Sequence, residues 1–171
     1  MPRIEAVGAR LALALDRVSD PGNVGTLIRT AAAVGAAVVC VGGADPFSPK
    51  ALRAAMGGTF RVPVVRADAW DAAAAALAEW NLKTIVADLH PDSVPYYAAG
   101  VDWDRSAVVV GGEVGLSADL EAVLDAPSRV YIPIAIESLN AAVAGSFLLL
   151  HAHHHQTSST SSRSSSSSSS S

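Results

Sequence analysis

The chain has 171 residues, half of them hydrophobic, with 12 Lys+Arg against 16 Asp+Glu and a formal net charge of -4. That size and apolar content suit one domain with a two-sided core. The acidic balance excludes a strong sequence-independent grip on nucleic acid, so an RNA partner must be engaged locally. The one cysteine, Cys40, excludes an internal disulfide and reads as a small buried hydrophobe in a reducing compartment. No apolar h-region opens the chain and no apolar run reaches membrane-spanning length, so a soluble cytoplasmic protein is expected.

Residues 10–18, RLALALDRV, predict a strand that breaks at Ser19-Asp20-Pro21-Gly22, a loop of turn formers. From Val24 the sequence VGTLIRTAAAVGA puts Leu27, Ala31 and Val34 on one helical stripe and stops at Gly35, a natural C-cap. AVVCVGG is a fully buried strand, so the first unit is strand, loop, helix, strand. Residues 48–56 predict a short helix entered through Ser48 and Pro49 and left at Gly57-Gly58. Residues 60–65 predict another strand, 69–80 an alanine-rich helix, and 83–89, KTIVADL, a buried strand of the parallel type. Residues 90–104, with Pro91, Pro95 and Gly100, read as loop and short turns. A strand over 107–110 enters GGEVGLS, and 120–124 is a short helix.

The stretch 130–150, VYIPIAIESLNAAVAGSFLLL, predicts a strand ending near Pro133, a polar turn at Glu137-Ser138-Leu139-Asn140, and an apolar helix capped by Ser138 or Asn140. Strands alternating with helices throughout imply a mostly parallel α/β sheet covered on both faces. Residues 1–156 form the domain. Residues 157–171 are a serine-rich tail that cannot bury enough to order itself.

Three polar clusters fall at the ends of predicted strands: Asn23 with Arg29, Gly111-Gly112-Glu113 with Gly115, and Glu137-Ser138-Leu139-Asn140. In a parallel α/β sheet those ends share one edge, where ligands bind. No GxGxxG follows a strand, which counts against an ordinary Rossmann oxidoreductase. His151, His153, His154 and His155 are read as the fraying end of a helix rather than a metal site, and Trp70, Trp80 and Trp103 as packing residues, since no basic residues interleave with them.

DPGNVGTLIRTAAAVGA, VVVGGEVGLS and IPIAIESLNAAVA, in that order and spacing, resemble the three motifs of the SpoU branch of the SPOUT superfamily, over residues 10–150. The resemblance implies an S-adenosylmethionine-dependent RNA ribose 2′-O-methyltransferase acting on tRNA or rRNA, homodimeric, with a C-terminal deep trefoil knot and no metal. It implies a catalytic set of Asn23, Arg29, Glu113, Ser138 and Asn140. Arg29 has the proton-handling role in the family, although guanidinium is a poor base and is better suited to steering a phosphate or stabilising a forming alkoxide. Glu113 would orient Arg29 or the RNA. For the cofactor, the resemblance points to Gly111, Ile132 and Leu139, with Asp88 and Leu89 flanking.

The chain departs from the family in Gly112 and Val114, in Ile134 where methionine is typical, and in a shorter 132–139 loop. It also begins almost at the first catalytic strand, without the RNA-binding domain many relatives carry. A non-catalytic dimeric knotted RNA- or protein-binding homolog is the alternative reading, and an unrelated nucleotide-binding α/β protein a third.

Overall fold

The computed structural model describes residues 9–124 and 126–166, with their side chains as far as residue 160. Seven strands, β1 (Leu11–Asp16), β2 (Ala37–Val41), β3 (Val64–Ala67), β4 (Lys83–Ala87), β5 (Val94–Pro95), β6 (Ser106–Gly111) and β7 (Ser128–Tyr131), form one sheet in the order β3-β2-β1-β6-β4-β7-β5. Every pairing between them is parallel. The helices are α1 (Pro21–Val34), α2 (Pro49–Ala55), α3 (Trp70–Glu79), α4 (Ala118–Val123) and α5 (Ala141–Ser166).

The alternation in β1 sets the two layers. Leu11, Leu13 and Leu15 pack with Leu27, Ile28 and Ala31 of α1 and Leu148, Leu149 and Ala152 of α5. Ala12 and Ala14 point the other way, onto Trp70, Ala73 and Leu77 of α3 and Leu120 of α4. Helices therefore cover both faces, the arrangement parallel strands require. Trp70, Trp80 and Trp103 are all buried, as packing residues should be.

The DPGN segment is a helix start rather than a free loop. Asp20 is the N-cap of α1, accepting from the Gly22 backbone N–H at 3.1 Å, and Pro21 occupies the first turn, where its missing donor costs nothing. Asn23 is thereby fixed in the first turn of the helix. At the other end Gly35 adopts φ 70°, the left-handed cap expected of it. Gly25 sits where α1 meets α2: a Cβ there would lie 2.3 Å from the Ala51 carbonyl oxygen.

Three expectations change. The strand placed at 60–65 lies at Val64–Ala67, because Gly58–Phe60 winds into a 3-10 turn after Gly57 and the extended chain resumes only past Pro63. The segment 90–104 contains β5, an edge strand too short to show a period, with proline where no ladder donor is needed. And α5 does not fray at the histidines but runs through Ser166, into the segment whose composition predicts no regular structure. Propagation from packed turns adds one hydrogen bond per residue fixed, and the hydroxyls of Thr157, Ser159 and Thr160 donate to carbonyls of His153, His155 and Gln156 one turn back. Residues 167–171 of that tail lie outside the described residues. No helix among those described is long and apolar enough to cross a membrane.

Candidate active site

The carboxyl ends of β4, β6 and β7 and the start of α5 enclose two adjoining cavities. The larger, about 630 Å³, is lined by Asp88, Leu89, Ile132, Ile134, Ser138 and Leu139 among others. The smaller, about 420 Å³, is lined by Asn23, Gly111, Gly112, Glu113, Ser138 and Asn140 among others. Asp88, Ser138 and Leu139 border both, so the two are adjacent.

Asn140 ties the third cluster to the first. Its Oδ1 accepts the backbone N–H groups of Ala142 at 2.8 Å and Val143 at 3.3 Å, capping α5, and its Nδ2 donates to Asn23 Oδ1 at 3.3 Å. Asn140, not Ser138, is the helix cap. The Asn23 side-chain NH2 has no partner among the described residues, so it can donate into the cavity it lines. Ser138 keeps an exposed hydroxyl at the border of the two cavities.

The second cluster is held by a residue absent from the sequence-derived set. Asp16, the last residue of β1 and fully buried, accepts from Trp70 Nε1 at 2.8 Å, from the Ser117 backbone N–H at 2.6 Å and from Ser117 Oγ at 2.8 Å. Its own carbonyl accepts the Gly112 N–H at 2.9 Å. Both ends of the 112–117 turn, with Glu113 in it, are therefore pinned to one residue. The available signal was an acidic side chain ending an otherwise apolar strand. Gly112 is needed for this fit, because a Cβ there would stand 2.6 Å from the Arg17 carbonyl oxygen. The space left by Gly111 is taken by Gly115 and Leu116 rather than kept open for a ligand, and Gly111 borders the smaller cavity, not the larger.

Glu113 is exposed and has no ion-pair partner among the described residues; in particular it does not meet Arg29. Arg29 lines neither cavity. It follows Asn23 by six residues, which carries it about 9 Å along α1 and about 240° around it, onto the flank that Gly25 turns to α2. Asp88 is engaged by Arg129 at 2.9 Å, which also bonds Glu121 at 2.5 Å. Beside the entry to α1, the Lys50 ammonium and the Gly22 N–H hold the Asp20 carboxyl below the usual carboxylate range.

The larger cavity has the size and the character of a nucleoside site, with apolar walls from Leu89, Ile132, Ile134 and Leu139 and a polar rim. Leu89 is 74 % exposed, an apolar surface available to a ligand rather than committed to the core. The smaller cavity offers amide, hydroxyl and carboxylate groups suited to a sugar hydroxyl. Among the described residues no three His, Cys, Asp or Glu side chains are grouped to hold a metal ion.

Comparison with known proteins agrees with this geometry. The 23S rRNA (guanosine(2553)-2′-O)-methyltransferase RlmP of Bacillus subtilis is 35 % identical over 165 residues, covering 88 % of this chain and 61 % of its own length. The crystal structure of the SpoU methyltransferase AviRb from Streptomyces viridochromogenes superposes with TM-score 0.77 at 29 % identity, over 88 % of this chain and 61 % of that one. An AdoMet-bound rRNA methyltransferase from Sinorhizobium meliloti gives 0.72 at 36 % identity, over 85 % and 56 %. The chain thus spans less than two thirds of the length of each. The family model of the SpoU rRNA methylases matches residues 10–150, which contain all three clusters, and the chain belongs to that family.

Proposed function

We propose that this chain carries the catalytic unit of an S-adenosylmethionine-dependent RNA methyltransferase that modifies a ribose 2′-hydroxyl of tRNA or rRNA. The observation that carries the reading is the meeting of Asn23, Glu113, Ser138 and Asn140, from three distant segments, around a cavity that adjoins an apolar cleft of nucleoside size. The relatives named as rRNA methyltransferases, one with AdoMet bound, support it.

S-adenosylmethionine would supply the electrophilic methyl group, which passes from the sulfonium sulfur to the ribose oxygen as that oxygen loses its proton. Ile132, Leu139 and Leu89 would hold its nucleoside in the larger cavity, with Asp88 at the border, while Gly111 lines the smaller cavity beside it. Asn23, oriented by Asn140, and Ser138 fix the hydroxyl, a contribution of position rather than charge. Glu113 gives the same cavity a carboxylate with no ion-pair partner, suited to receiving the released proton directly or through water. Arg29, off the cavity, acts by attracting the RNA phosphates rather than as a base.

The trefoil knot belongs to the same proposal. β7 enters the sheet between β4 and β5, which are joined directly by residues 88–93, so a short connection laid down earlier spans the last strand. A homodimer is supported by Val143, Phe147 and Leu150, which leave an apolar stripe exposed along α5. We place the end of the unit at Gln156, whose buried amide donates to the carbonyls of Arg10 and Trp103, while α5 itself continues into the serine tract. A cytoplasmic setting fits the substrate.

Labelled S-adenosylmethionine incubated with bulk tRNA or rRNA should yield 2′-O-methylated nucleosides after nuclease digestion, and Asn23→Ala should abolish them. No methyl incorporation, together with no calorimetric binding of S-adenosylmethionine, would overturn the reading and favour the alternative, a knotted binding module, which the acidic net charge, the shorter 132–139 loop and the position of Arg29 outside both cavities support.

A further inference from the structure

The acidic chain engages most of its described lysines and arginines with its own carboxylates and carbonyls. Arg10, Arg17, Lys50, Arg66, Lys83 and Arg129 are in ion pairs, and Arg105 donates to the carbonyls of Trp80 and Asn81. Among the described side chains, the lysines and arginines left without a partner are Arg29, Arg53 and Arg61, and all three are exposed. They are neighbours in the fold. The 3-10 turn Gly58–Phe60 is pressed onto α1 so closely that a Cβ at Gly58 would stand 3.3 Å from Arg29 Cα and 3.1 Å from Ala32 Cβ. Arg53 lies in the last turn of α2, ahead of that 3-10 turn, and Arg61 follows it, its N–H bonded to the Gly58 carbonyl.

Between these arginines Phe60 is 82 % exposed and Met56 is 70 % exposed, while Thr59 beside them is buried. The core therefore anchors the turn and leaves the ring outside it. An exposed aromatic side chain on an anchored turn, with uncommitted arginines on that turn's end and on the two helices beside it, is the composition of a single-strand RNA platform: stacking for a base, charge for its phosphates. The flank is continuous with the site through α1, which carries Asn23 at the cavity and Arg29 on the platform side.

We propose that Phe60, Arg29, Arg53 and Arg61 bind the single-stranded RNA next to the target nucleotide, with one base stacked on Phe60. This rests on the RNA methyltransferase reading and names the surface through which an acidic chain holds its substrate.

The test uses the whole chain and a fluorescent mixed-sequence RNA 12-mer carrying 2-aminopurine, titrated at several salt concentrations. Phe60→Ala should weaken binding by about fivefold or more and remove the stacking quench, and Phe60→Trp should restore both. The double variant Arg53→Ala/Arg61→Ala should lower the slope of log affinity against log salt by about 1.4, roughly 0.7 for each single-strand phosphate that is no longer neutralised. Calorimetric binding of S-adenosylmethionine should be the same in all of them.

Failure of the wild-type chain to bind the 12-mer, wild-type affinity in the Phe60→Ala and double variants, or an equal preference for duplex RNA would overturn the platform. So would a change from dimer to monomer in the sedimentation of Phe60→Ala, which would make a second copy the occupant. RNA binding that depends on Phe60, in a protein that transfers no methyl group to bulk RNA, would uphold the platform and remove the catalytic reading.

Discussion

Asp16 uses both carboxylate oxygens on groups that frame the site, the Trp70 indole and the N–H and hydroxyl of Ser117. Asp16→Asn replaces one of those acceptors with an NH2 facing another donor, and a buried unsatisfied polar group costs roughly 1–3 kcal/mol. The variant should melt lower and lose methyl transfer through displacement of Glu113, with cofactor binding in the calorimeter less affected. His151 gives a second test at this scale. Its ring packs against Tyr96 and Trp103, and burial, with His155 and His154 adding to it, pushes its pKa below the ordinary 6.5. The fold thus favours neutral His151, and as pH falls the unfolded chain takes up that proton first. The contribution to stability is full above about pH 6.5 and is lost as pH drops through the lowered value. His151→Phe should flatten the dependence of melting temperature on pH across that acid window.

Among the elements, α1 and α5 do the positioning. α1 is held against α2 through Gly25, and Gly25→Ala would drive a methyl group into the Ala51 carbonyl and the Ala54 side chain. Overpacking of that kind costs roughly 1–3 kcal/mol, so chemical denaturation should show a clear loss of stability. The start of α5 depends on Asn140. Asn140→Ala removes a cap worth about 1 kcal/mol and also frees Asn23 from its orienting bond. Its loss of activity should therefore exceed what the stability change explains, whereas Asn140→Asp, which keeps the cap but not the amide donor, should recover stability more than activity.

For the whole molecule, the apolar stripe of Val143, Phe147 and Leu150 on α5 is the surface on which the proposed homodimer rests. A charge at its centre cannot be buried without a partner, so Phe147→Glu should sediment as a monomer where the unaltered chain sediments as a dimer. Dimer formation in that variant would remove the stripe from the interface.

The layered α/β architecture was legible in the sequence, because the alternation of RLALALDRV and the continuous apolar runs at 37–41 and 107–110 carry burial directly. Motif order alone also brought Asn23, Glu113, Ser138 and Asn140 into the expected set, and those four border one cavity. The tertiary structure decided the rest. It assigned the α5 cap to Asn140 rather than Ser138, turned Arg29 away from the cavities by helical phase, and set Phe60 outside the core on a 3-10 turn. It also gave Asp16 its partners, which lie 54 and 101 residues along the chain. Local sequence encodes which groups can be buried; which of them meet depends on strand order and helix rotation, and those are fixed only when distant segments pack together.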